Sequence, residues 1–226
     1  RNNPKIADKR LVDAIPATDY RKDVFIVDAP NTNGSAANNQ GGFGNDPNYT
    51  DQAVFDARVA SIKSTYGLVG GHNLHPYMHF KLKQKNPGSI DPDDVIYMRT
   101  SEMYLIEAEA KAMMNDVPGA QAALKPLAEE RDSAFDVTVF NTQQSIMDQI
   151  KFQRRLELWG EGFGYTDKIR WDEGIDHAAN GGSGASQVLY QGAFQVAKPS
   201  VNNDWIFKIP QAEIDANPDI GPANQN

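Results

Sequence analysis

The sequence has 226 residues, of which 40% are hydrophobic, enough to bury a core in one large domain or two small ones. Its formal net charge is -8 and no cluster of Lys and Arg occurs, so nucleic acid and anionic lipid are disfavoured as partners. The sequence contains no cysteine, which excludes disulfides, thiol nucleophiles and cysteine-ligated metals. No apolar run approaches the roughly 20 residues that a membrane-spanning helix needs.

The N-terminal part of the chain predicts a loop-rich region. It begins without a methionine or a signal peptide, so we expect a mature or truncated product whose targeting signal lies upstream. Residues 6–27 predict a helix, a turn and a short extended piece, because Pro16 cannot continue a helix. Residues 31–50 are rich in Asn and Gly and predict a long surface loop of a kind that often binds ligands. A short helix at 54–64 and a strand at 77–81 follow.

The strongest helical signal covers residues 95–114, which contain no Pro or Gly and are rich in Glu, Ala, Met and Leu. Its apolar residues form two lines, with Met98, Leu105 and Ala112 on one and Ile106, Ala110 and Met113 on the other. A helix that is apolar on two sides packs between neighbours, so we expect both sides to be buried. An aromatic and Met set at helical spacing is assigned to the core for the same reason. Its members are Tyr97, Met103, Tyr104 and Trp159.

A second helix at residues 118–130 forms a helical hairpin with the first. Residues 115–116 are polar and can cap its first turn. Pro126 should kink or end this helix, because proline removes one backbone hydrogen bond and crowds the preceding turn.

A third helix begins after Asn141, whose spacing to Gln144 mimics a capping box, and it runs to Gly160. Past residue 171 the chain becomes irregular, with a flexible link at 180–184 and a strand candidate at 205–209. Three regions result from this division. They are a loop-rich, ligand-side region at 1–94, a helical layer at 95–171, and an irregular C-terminal segment at 172–226.

Four segments of the sequence carry a recognisable pattern. They are Ile-Pro-Ala-Thr-Asp-Tyr-Arg-Lys at 15–22; Tyr-Met-Arg-Thr-Ser-Glu-Met-Tyr-Leu-Ile-Glu-Ala-Glu-Ala at 97–110; Arg-Arg-Leu-Glu-Leu-Trp-Gly-Glu-Gly at 154–162, continuing to Asp-Lys-Ile-Arg-Trp at 167–171; and Lys-Ile-Pro-Gln-Ala-Glu-Ile at 208–214, followed by Asn-Pro at 217–218. In this order they resemble the SusD/RagB family of bacterial outer-membrane nutrient-binding lipoproteins. The resemblance covers nearly the whole chain, but it matches only the C-terminal portion of a typical member.

The resemblance implies a mostly α, SusD-like helical fold with long irregular loops and a few short strands. Residues 95–130 would form one tetratricopeptide-like helix pair, close to the ~34 residues of that repeat. Members often carry an arginine at the position of Gly164 and a glutamate at that of Gln153. Part of the ion-pair lattice of the family is therefore missing here.

The resemblance also implies a function. Members are surface-exposed lipoproteins of the outer membrane that cover a TonB-dependent, SusC-like transporter and bind glycans or, in some relatives, peptides for import. Membrane association would use an N-terminal lipid that is not present in this chain. The resemblance implies neither catalysis nor an obligate cofactor.

A charged set near the end of the third helix has two interpretations. Its members are Arg154, Arg155, Glu157, Glu161, Asp167 and Arg170. Glycoside hydrolysis needs two carboxylates at a defined separation, and this set contains several. Cations and anions three or four residues apart more often form ion pairs, so we predict that these residues lock the helical layers together.

Three histidines, His72, His75 and His79, could in principle ligate a metal. We predict no metal site there. Gly70-Gly71 and Pro76 indicate an irregular loop with no helix to align the imidazole rings, and no acidic residue lies near enough in sequence to add a ligand.

Sugar recognition needs aromatic faces for the apolar side of the ring and amide or charged groups for its hydroxyls. The loops supply both, and we predict ligand binding by Phe43, Tyr49, Tyr66, Tyr77, Asn38, Asn39, Asn45 and Asn73. Gln40, Tyr190 and Trp205 are residues of the same type in or beside irregular segments. The alternative is that each ring anchors its loop to the core. Strand-like surroundings favour that alternative for Tyr77 and Trp205.

Three functional hypotheses follow. The first is a glycan-binding surface receptor, with a peptide-binding receptor of the RagB type as its variant. The second is a helical-repeat scaffold that binds protein only. The third is a glycosidase, which would release reducing sugar and lose that activity on substitution of one carboxylate.

Overall fold

A computed structural model of the chain describes residues 6–32, 42–46, 48–68, 73–81, 97–176, 195–217 and 219. The helices in these ranges are α1 Lys9–Asp13, α2 Gln52–Tyr66, α3 Thr100–Met113, α4 Val117–Arg131, α5 Gln143–Glu157, α6 Gly164–Arg170 and α7 Gln211–Ala216. The strands are β1 Phe25–Ile26, β2 Met78–His79, β3 Ile175–Asp176 and β4 Gln195–Val196. The predicted fold class, mostly helical with a few short strands, is confirmed. Within these ranges, no helix combines the length and apolarity needed to cross a membrane.

The centre of the molecule is a layer of three helices. α3 and α4 are joined by the turn at 114–116 and pack on each other, as the predicted hairpin requires, and both contact α5. One apolar cluster fills the space between them. It consists of Leu105, Ala108, Ala112, Ala120, Ala123, Leu124, Leu127, Ala128, Val137, Ile146, Ile150 and Leu158. The small alanines allow close approach of the helix axes, which makes this layer a firm support for the segments around it.

The prediction for α3 was wrong in two respects. The helix begins at Thr100 rather than at residue 95, because Arg99 is extended and directs its guanidinium to acidic side chains. Residues 95 and 96 lie outside the described residues. The outer side of α3 is exposed: Tyr97, Met103 and Tyr104, assigned to the core from sequence, are 90%, 42% and 38% exposed. Trp159, the fourth member of that set, is half-buried.

α4 begins as predicted and ends later than predicted. The carboxylate of Asp116 accepts a hydrogen bond from the backbone N–H of Gly119, which satisfies one of the donors left open at a helix start. The helix continues through Pro126 to Arg131, so the proline does not end it. Pro126 and Ala122 both lie on the exposed side of α4, where water can solvate the carbonyl that has lost its donor.

α5 starts one residue later than predicted. The capping box joins Thr142 and Ser145, each of which accepts from the backbone N–H of the other, and not Asn141 and Gln144. The helix ends at Glu157, before Gly160.

The N-terminal part follows the predicted order of helix, turn, extended piece and second helix. α1 is followed by a short 3-10 turn at Tyr20–Val24 and then by β1, which pairs antiparallel with β2 through Phe25 to His79 and Ile26 to Met78. α2 starts after the N-cap residue Asp51. Two apolar clusters hold this part together. One contains Ala7, Val12, Ile15, Phe25 and Leu156, and the other contains Ile26, Ala29, Ile62, Leu74 and Met78.

The C-terminal part differs from the prediction. The proposed strand at 205–209 is absent: Trp205 ends a 3-10 turn at Asn203–Trp205, where its indole N–H donates to the carbonyl of Ala197 and its ring stacks near Tyr165. The sequence did not indicate the short strands β3 and β4, which pair through Ile175 and Val196. The proposed flexible link at 180–184 lies outside the described residues.

Candidate functional site

A buried carboxylate joins four segments of the chain. Glu157, at the end of α5, is 4% exposed and accepts hydrogen bonds from Arg21, Arg99 and Arg131 at distances of 2.9 to 3.3 Å. Burial alone would raise the pKa of Glu157, but the hydrogen bond and charge of Arg131 and the charge of Arg21 lower it to about 2. A general acid for glycoside hydrolysis must hold a proton near neutral pH, so Glu157 is unsuited to that role.

A second group of charges ties α6 to the layer. Asp167 accepts from Arg154 at 2.8 Å and from Arg170 at 2.9 Å. Arg170 also pairs with Glu109 of α3, whose carboxylate accepts from the indole of Trp171 at 2.7 Å. Burial would raise the pKa of Glu109, whereas these two donors hold it below its ordinary value.

The remaining members of the charged set also form ion pairs. Glu161 pairs with Lys81 and Arg99, and Arg155 pairs with Glu173. All six members of the charged set identified from sequence thus form ion pairs between different segments of the chain. At position 153, where the resemblance leads us to expect a glutamate, the amide oxygen of Gln153 accepts a hydrogen bond from Arg21 at 2.7 Å.

An open cleft of about 840 Å³ lies beside this lattice, between α1, α5, α6 and the turn leading to β3. Its volume is within the range of small-molecule sites. Four aromatic side chains line it: Phe152, Trp159, Phe163 and Trp171. Gly160, Gly162 and Gly164 lie at its edge, and added Cβ atoms at Gly162 and Gly164 would meet nothing within 4 Å. The glycines therefore leave the cleft open.

The charges that line this cleft balance one another. The cations are Arg10, Arg154, Arg155 and Lys168, and the acids are Asp8, Asp167, Glu173 and Asp176. Burial and the nearby charge of Arg155 lower the pKa of Lys168. Burial alone would raise the pKa of Glu173, but Lys151 and Arg155 hold it below its ordinary value. Paired donors and acceptors of this kind suit a ligand rich in hydroxyls and without net charge.

Several contacts fix the side chain of Trp171, one of the four rings that line the cleft. Its indole N–H is fixed by Glu109, and the cationic groups of Lys151, Arg155 and Arg170 lie 5.2, 5.5 and 4.5 Å from its ring. Trp171 is half-buried and lines the cleft.

The loop residues predicted to bind a ligand lie elsewhere. The rings of Phe43 and Tyr49 contact Phe55 of α2 edge-on, at centroid distances of 6.1 and 5.3 Å, and the hydroxyl of Tyr49 donates to the carbonyl of Asp28. Asn45 belongs to the 3-10 turn at Phe43–Asn45. Asn38, Asn39 and Gln40 lie outside the described residues. These contacts anchor the two rings on α2.

Tyr66, Asn73 and Tyr77 lie near β2. Tyr66 stacks on Phe80 at a centroid distance of 3.9 Å, and Asn73 directly precedes the buried Leu74. Tyr77 adopts a left-handed backbone with φ of 62° and packs beside the N-terminal cluster, with the ammonium of Lys9 over its ring at 5.6 Å. Tyr66 and Tyr77 pack against different apolar clusters of the N-terminal part. Tyr190 lies outside the described residues.

The histidines do not converge in the described part of the chain. His75 is buried, its Nδ1 lies 3.0 Å from the carbonyl of Pro76, and burial lowers its pKa, so it is neutral at neutral pH. His79 packs against Trp159 at 3.9 Å. His72 lies outside the described residues. No group of three or more His, Asp or Glu side chains in the described ranges could together hold a metal ion.

The cleft was not identified from sequence. The sequence pattern predicts a core position for Trp159, and of the glycines beside it Gly160 serves only as the end of the third helix. The usable signal was the combination of the two, because glycines beside large aromatic residues add no side chain that would fill the space next to the rings.

Comparison with known proteins gives consistent results. The model of the SusD family matches residues 1–226. The chain is 28% identical to the SusD-like protein P38 of Formosa agariphila over 95 residues, which are 39% of this chain and 19% of that protein. A crystal structure described as a SusD-like carbohydrate binding protein from Bacteroides vulgatus is 22% identical, with a TM-score of 0.53 over 96% of this chain and 41% of that one. The chain thus spans less than half the length of either relative.

Proposed function

The chain belongs to the SusD family, and from this premise we propose that it binds glycans without transforming them, for uptake through a partner TonB-dependent transporter of the SusC type. In this proposal it acts on the cell surface at the outer membrane. Attachment there uses a covalently bound lipid.

The observation that carries the proposal is the cleft between α5 and α6. It combines the rings of Trp159 and Trp171 with hydrogen-bonding groups whose charges cancel. Aromatic faces suit the apolar faces of pyranose rings, and arginine–carboxylate pairs offer fixed donors and acceptors to hydroxyls. A neutral oligosaccharide matches both properties. A strongly anionic glycan would meet as many carboxylates as cations.

The lattice around Glu157 supports binding rather than catalysis. Its carboxylate is ionised and occupied by three arginines, and Asp167 is shared between two more. Neither is free to protonate a leaving group or to activate water. The solved relative, described as a carbohydrate binding protein, supports the same class of ligand.

A matched pair of glycine substitutions tests the proposal. Gly164 and Gly44 both have free space around an added Cβ and ordinary backbone angles, and only Gly164 lines the cleft. Gly164→Gln adds a side chain to the lining of the cleft, whereas Gly44→Gln places the same side chain beside Phe43. Retention in native gels containing soluble starch, laminarin or xylan, supported by tryptophan fluorescence titration, gives the affinities. We expect wild type and Gly44→Gln to be retained and Gly164→Gln to run freely with an unchanged melting temperature.

Other outcomes distinguish the alternatives. Retention of Gly164→Gln together with loss in Gly44→Gln and Phe43→Ala would place binding at the loop residues predicted from sequence. Release of reducing sugar from any of the polysaccharides would establish a glycosidase. Absence of retention, with a fluorescence response to a casein digest, would favour the peptide-binding alternative. Capture of a defined partner protein without any sugar response would favour the scaffold.

A further inference from the structure

A second cavity, of about 440 Å³, lies beside the cleft, between the end of α1, the segment at 132–140 and α5. Its volume is also within the range of small-molecule sites. Ala14 and Phe152 line both the cleft and the second cavity, so the two spaces share a wall. Ala14 is exposed and carries only a methyl group, so little side-chain volume stands between the two spaces at that point.

Aromatic rings line the second cavity, as they line the cleft. Phe135 and Phe140 are half-buried and stack with their centroids 5.8 Å apart and their planes inclined by 23°. The amide of Gln121 on α4 donates to the main-chain carbonyls of Val137 and Phe140 at 3.3 and 3.0 Å. These bonds fix the segment that carries the rings on the helical layer. A ligand therefore meets rings that are already in place, which lowers the entropy cost of binding.

The polar groups of the second cavity suit a ligand with hydroxyls. Asp132 and Asp136 are the charged residues that the described part of the chain contributes to its lining, and Gln149 and Gln153 add amides. The backbone N–H and the hydroxyl of Thr138 donate to one oxygen of Asp136 at 2.9 and 2.6 Å, which fixes that carboxylate. Carboxylates accept and amides both donate and accept, so neutral hydroxyl groups find partners here. An anionic sugar would be repelled by the two acids.

We propose that the second cavity is a further subsite of the cleft, and that one neutral glycan chain occupies both spaces across Ala14 and Phe152. This inference rests on the proposed function and extends it. α5 runs along both spaces, with Gln149 at the second cavity and Arg155 at the cleft. At the rise of a helix these two residues are roughly 9 Å apart along its axis, which is longer than one sugar ring. The preferred ligand is accordingly an internal stretch of a polysaccharide and not a single sugar unit.

The dependence of affinity on chain length tests this subsite. Isothermal titration calorimetry gives the affinity and the stoichiometry for the trisaccharide and the hexasaccharide of the laminarin, starch and xylan series. Ala134→Gln adds a side chain to the lining of the second cavity at an exposed turn residue, and Gln149→Leu removes an amide from that lining. Ala60→Gln, at an exposed position of α2 that lines neither space, is the matched control.

We expect the wild type and Ala60→Gln to bind one hexasaccharide per chain about tenfold more tightly than the trisaccharide of the same series. One aromatic contact and one hydrogen bond together account for a gain of this size. In Ala134→Gln and Gln149→Leu the affinity for the trisaccharide should be unchanged, because the cleft is intact, and the gain should fall below about threefold.

Equal affinities of the wild type for the two chain lengths would overturn this inference and leave the proposed function intact, as would an undiminished gain in both cavity variants. Binding of two hexasaccharides per chain would also overturn it, since the two spaces would then be separate sites. Failure of the wild type to bind any of the oligosaccharides would overturn the proposed function, and this inference with it. Melting temperatures identify a cavity variant that fails to fold, and the other variant then decides.

Discussion

Two hydrogen bonds connect Arg99 to Glu157. Nη1 of Arg99 donates to the carboxylate of Glu157 at 2.9 Å, and Nη2 donates to its main-chain carbonyl at 2.5 Å. Arg99 directly precedes α3 and Glu157 ends α5, so this pair fixes the start of one helix against the end of the other. Arg21 and Arg131 bind the same carboxylate and connect the N-terminal part and α4 to this point.

Glu157→Gln should therefore destabilise the protein strongly. The substitution keeps the shape of the side chain but removes the buried charge that the three arginines share. Arg21 retains Asp19 and Arg99 retains Glu161, whereas Arg131 loses the carboxylate with which it pairs. Removing one partner of a buried ion pair costs about 3 to 5 kcal/mol. Urea unfolding followed by circular dichroism measures the change in the free energy of unfolding.

The matched control for this substitution is Glu107→Gln. The side chain of Glu107 is 54% exposed and forms a simple pair with Lys111 one helical turn away. Loss of this ion pair should change the free energy of unfolding by no more than about 0.5 kcal/mol. Similar effects of the two substitutions would show that the buried lattice contributes little to stability.

The same carboxylate predicts how stability depends on pH. The pKa of Glu157 is about 2 in the folded protein against an ordinary value of 4.5, so between these values the unfolded chain binds a proton that the folded protein does not. Its contribution is fully present above pH 4.5 and is lost as the pH falls toward 2, on the order of 3 kcal/mol in total. Glu109 and Glu173, whose pKa values are also lowered, act in the same direction.

Free energies of unfolding at pH 6, 4.5, 3.5 and 2.5 test this prediction. We expect the wild type to lose stability steeply below pH 4.5 and Glu157→Gln to lose it less steeply, since its side chain at 157 does not titrate. Parallel curves for the two proteins would mean that Glu157 is not the group responsible.

Local interactions could be predicted from sequence and non-local ones could not. The cap at Asp116 was predicted because the side chain and the backbone donor that it satisfies are three residues apart. The cap of α5 was misplaced by one residue, since Asn141-Gln144 and Thr142-Ser145 offer the same spacing of polar groups. The predicted core position of Tyr97 failed because sequence periodicity shows that a side is apolar and not whether anything covers it.

The cleft depends still more on distant contacts. α1, α5, α6 and β3 surround it, and they are placed by bonds such as that from Arg10 to the carbonyl of Asp176, 166 residues away in sequence. The sequence around Trp159 and Trp171 does not reveal whether these two rings fill a core or line a cavity. The loop residues Phe43 and Tyr49 looked equally suited to either role, and their contacts with Phe55 became visible only in three dimensions.

The N-cap of α4 predicts a non-additive pair of substitutions. An added Cβ at Gly119 would meet the carboxylate of Asp116 at 1.9 Å, so Gly119→Ala forces that side chain to move and lose its hydrogen bond. We expect Asp116→Ala to cost about 1 kcal/mol. Gly119→Ala loses the same cap but should cost less, because alanine favours a helix more than glycine does. In the double variant the substitution at 119 should no longer destabilise the protein, because the cap is already lost. Unfolding free energies of the four proteins give the coupling, and simple additivity would contradict this account.

Pro126→Ala should stabilise the protein. Pro126 is exposed inside α4, and the helix continues on both sides of it, so the backbone already adopts a conformation that alanine favours. The substitution restores the donor to the carbonyl of Ala122 and removes the steric crowding of the proline ring. Greater freedom of the unfolded chain offsets part of this gain, which leaves about 1 to 2 kcal/mol. Urea unfolding measures it, with Lys125→Ala, a neighbouring exposed position, as the control. A loss of stability in Pro126→Ala would mean that the proline sets a bend on which packing of α4 against α3 depends.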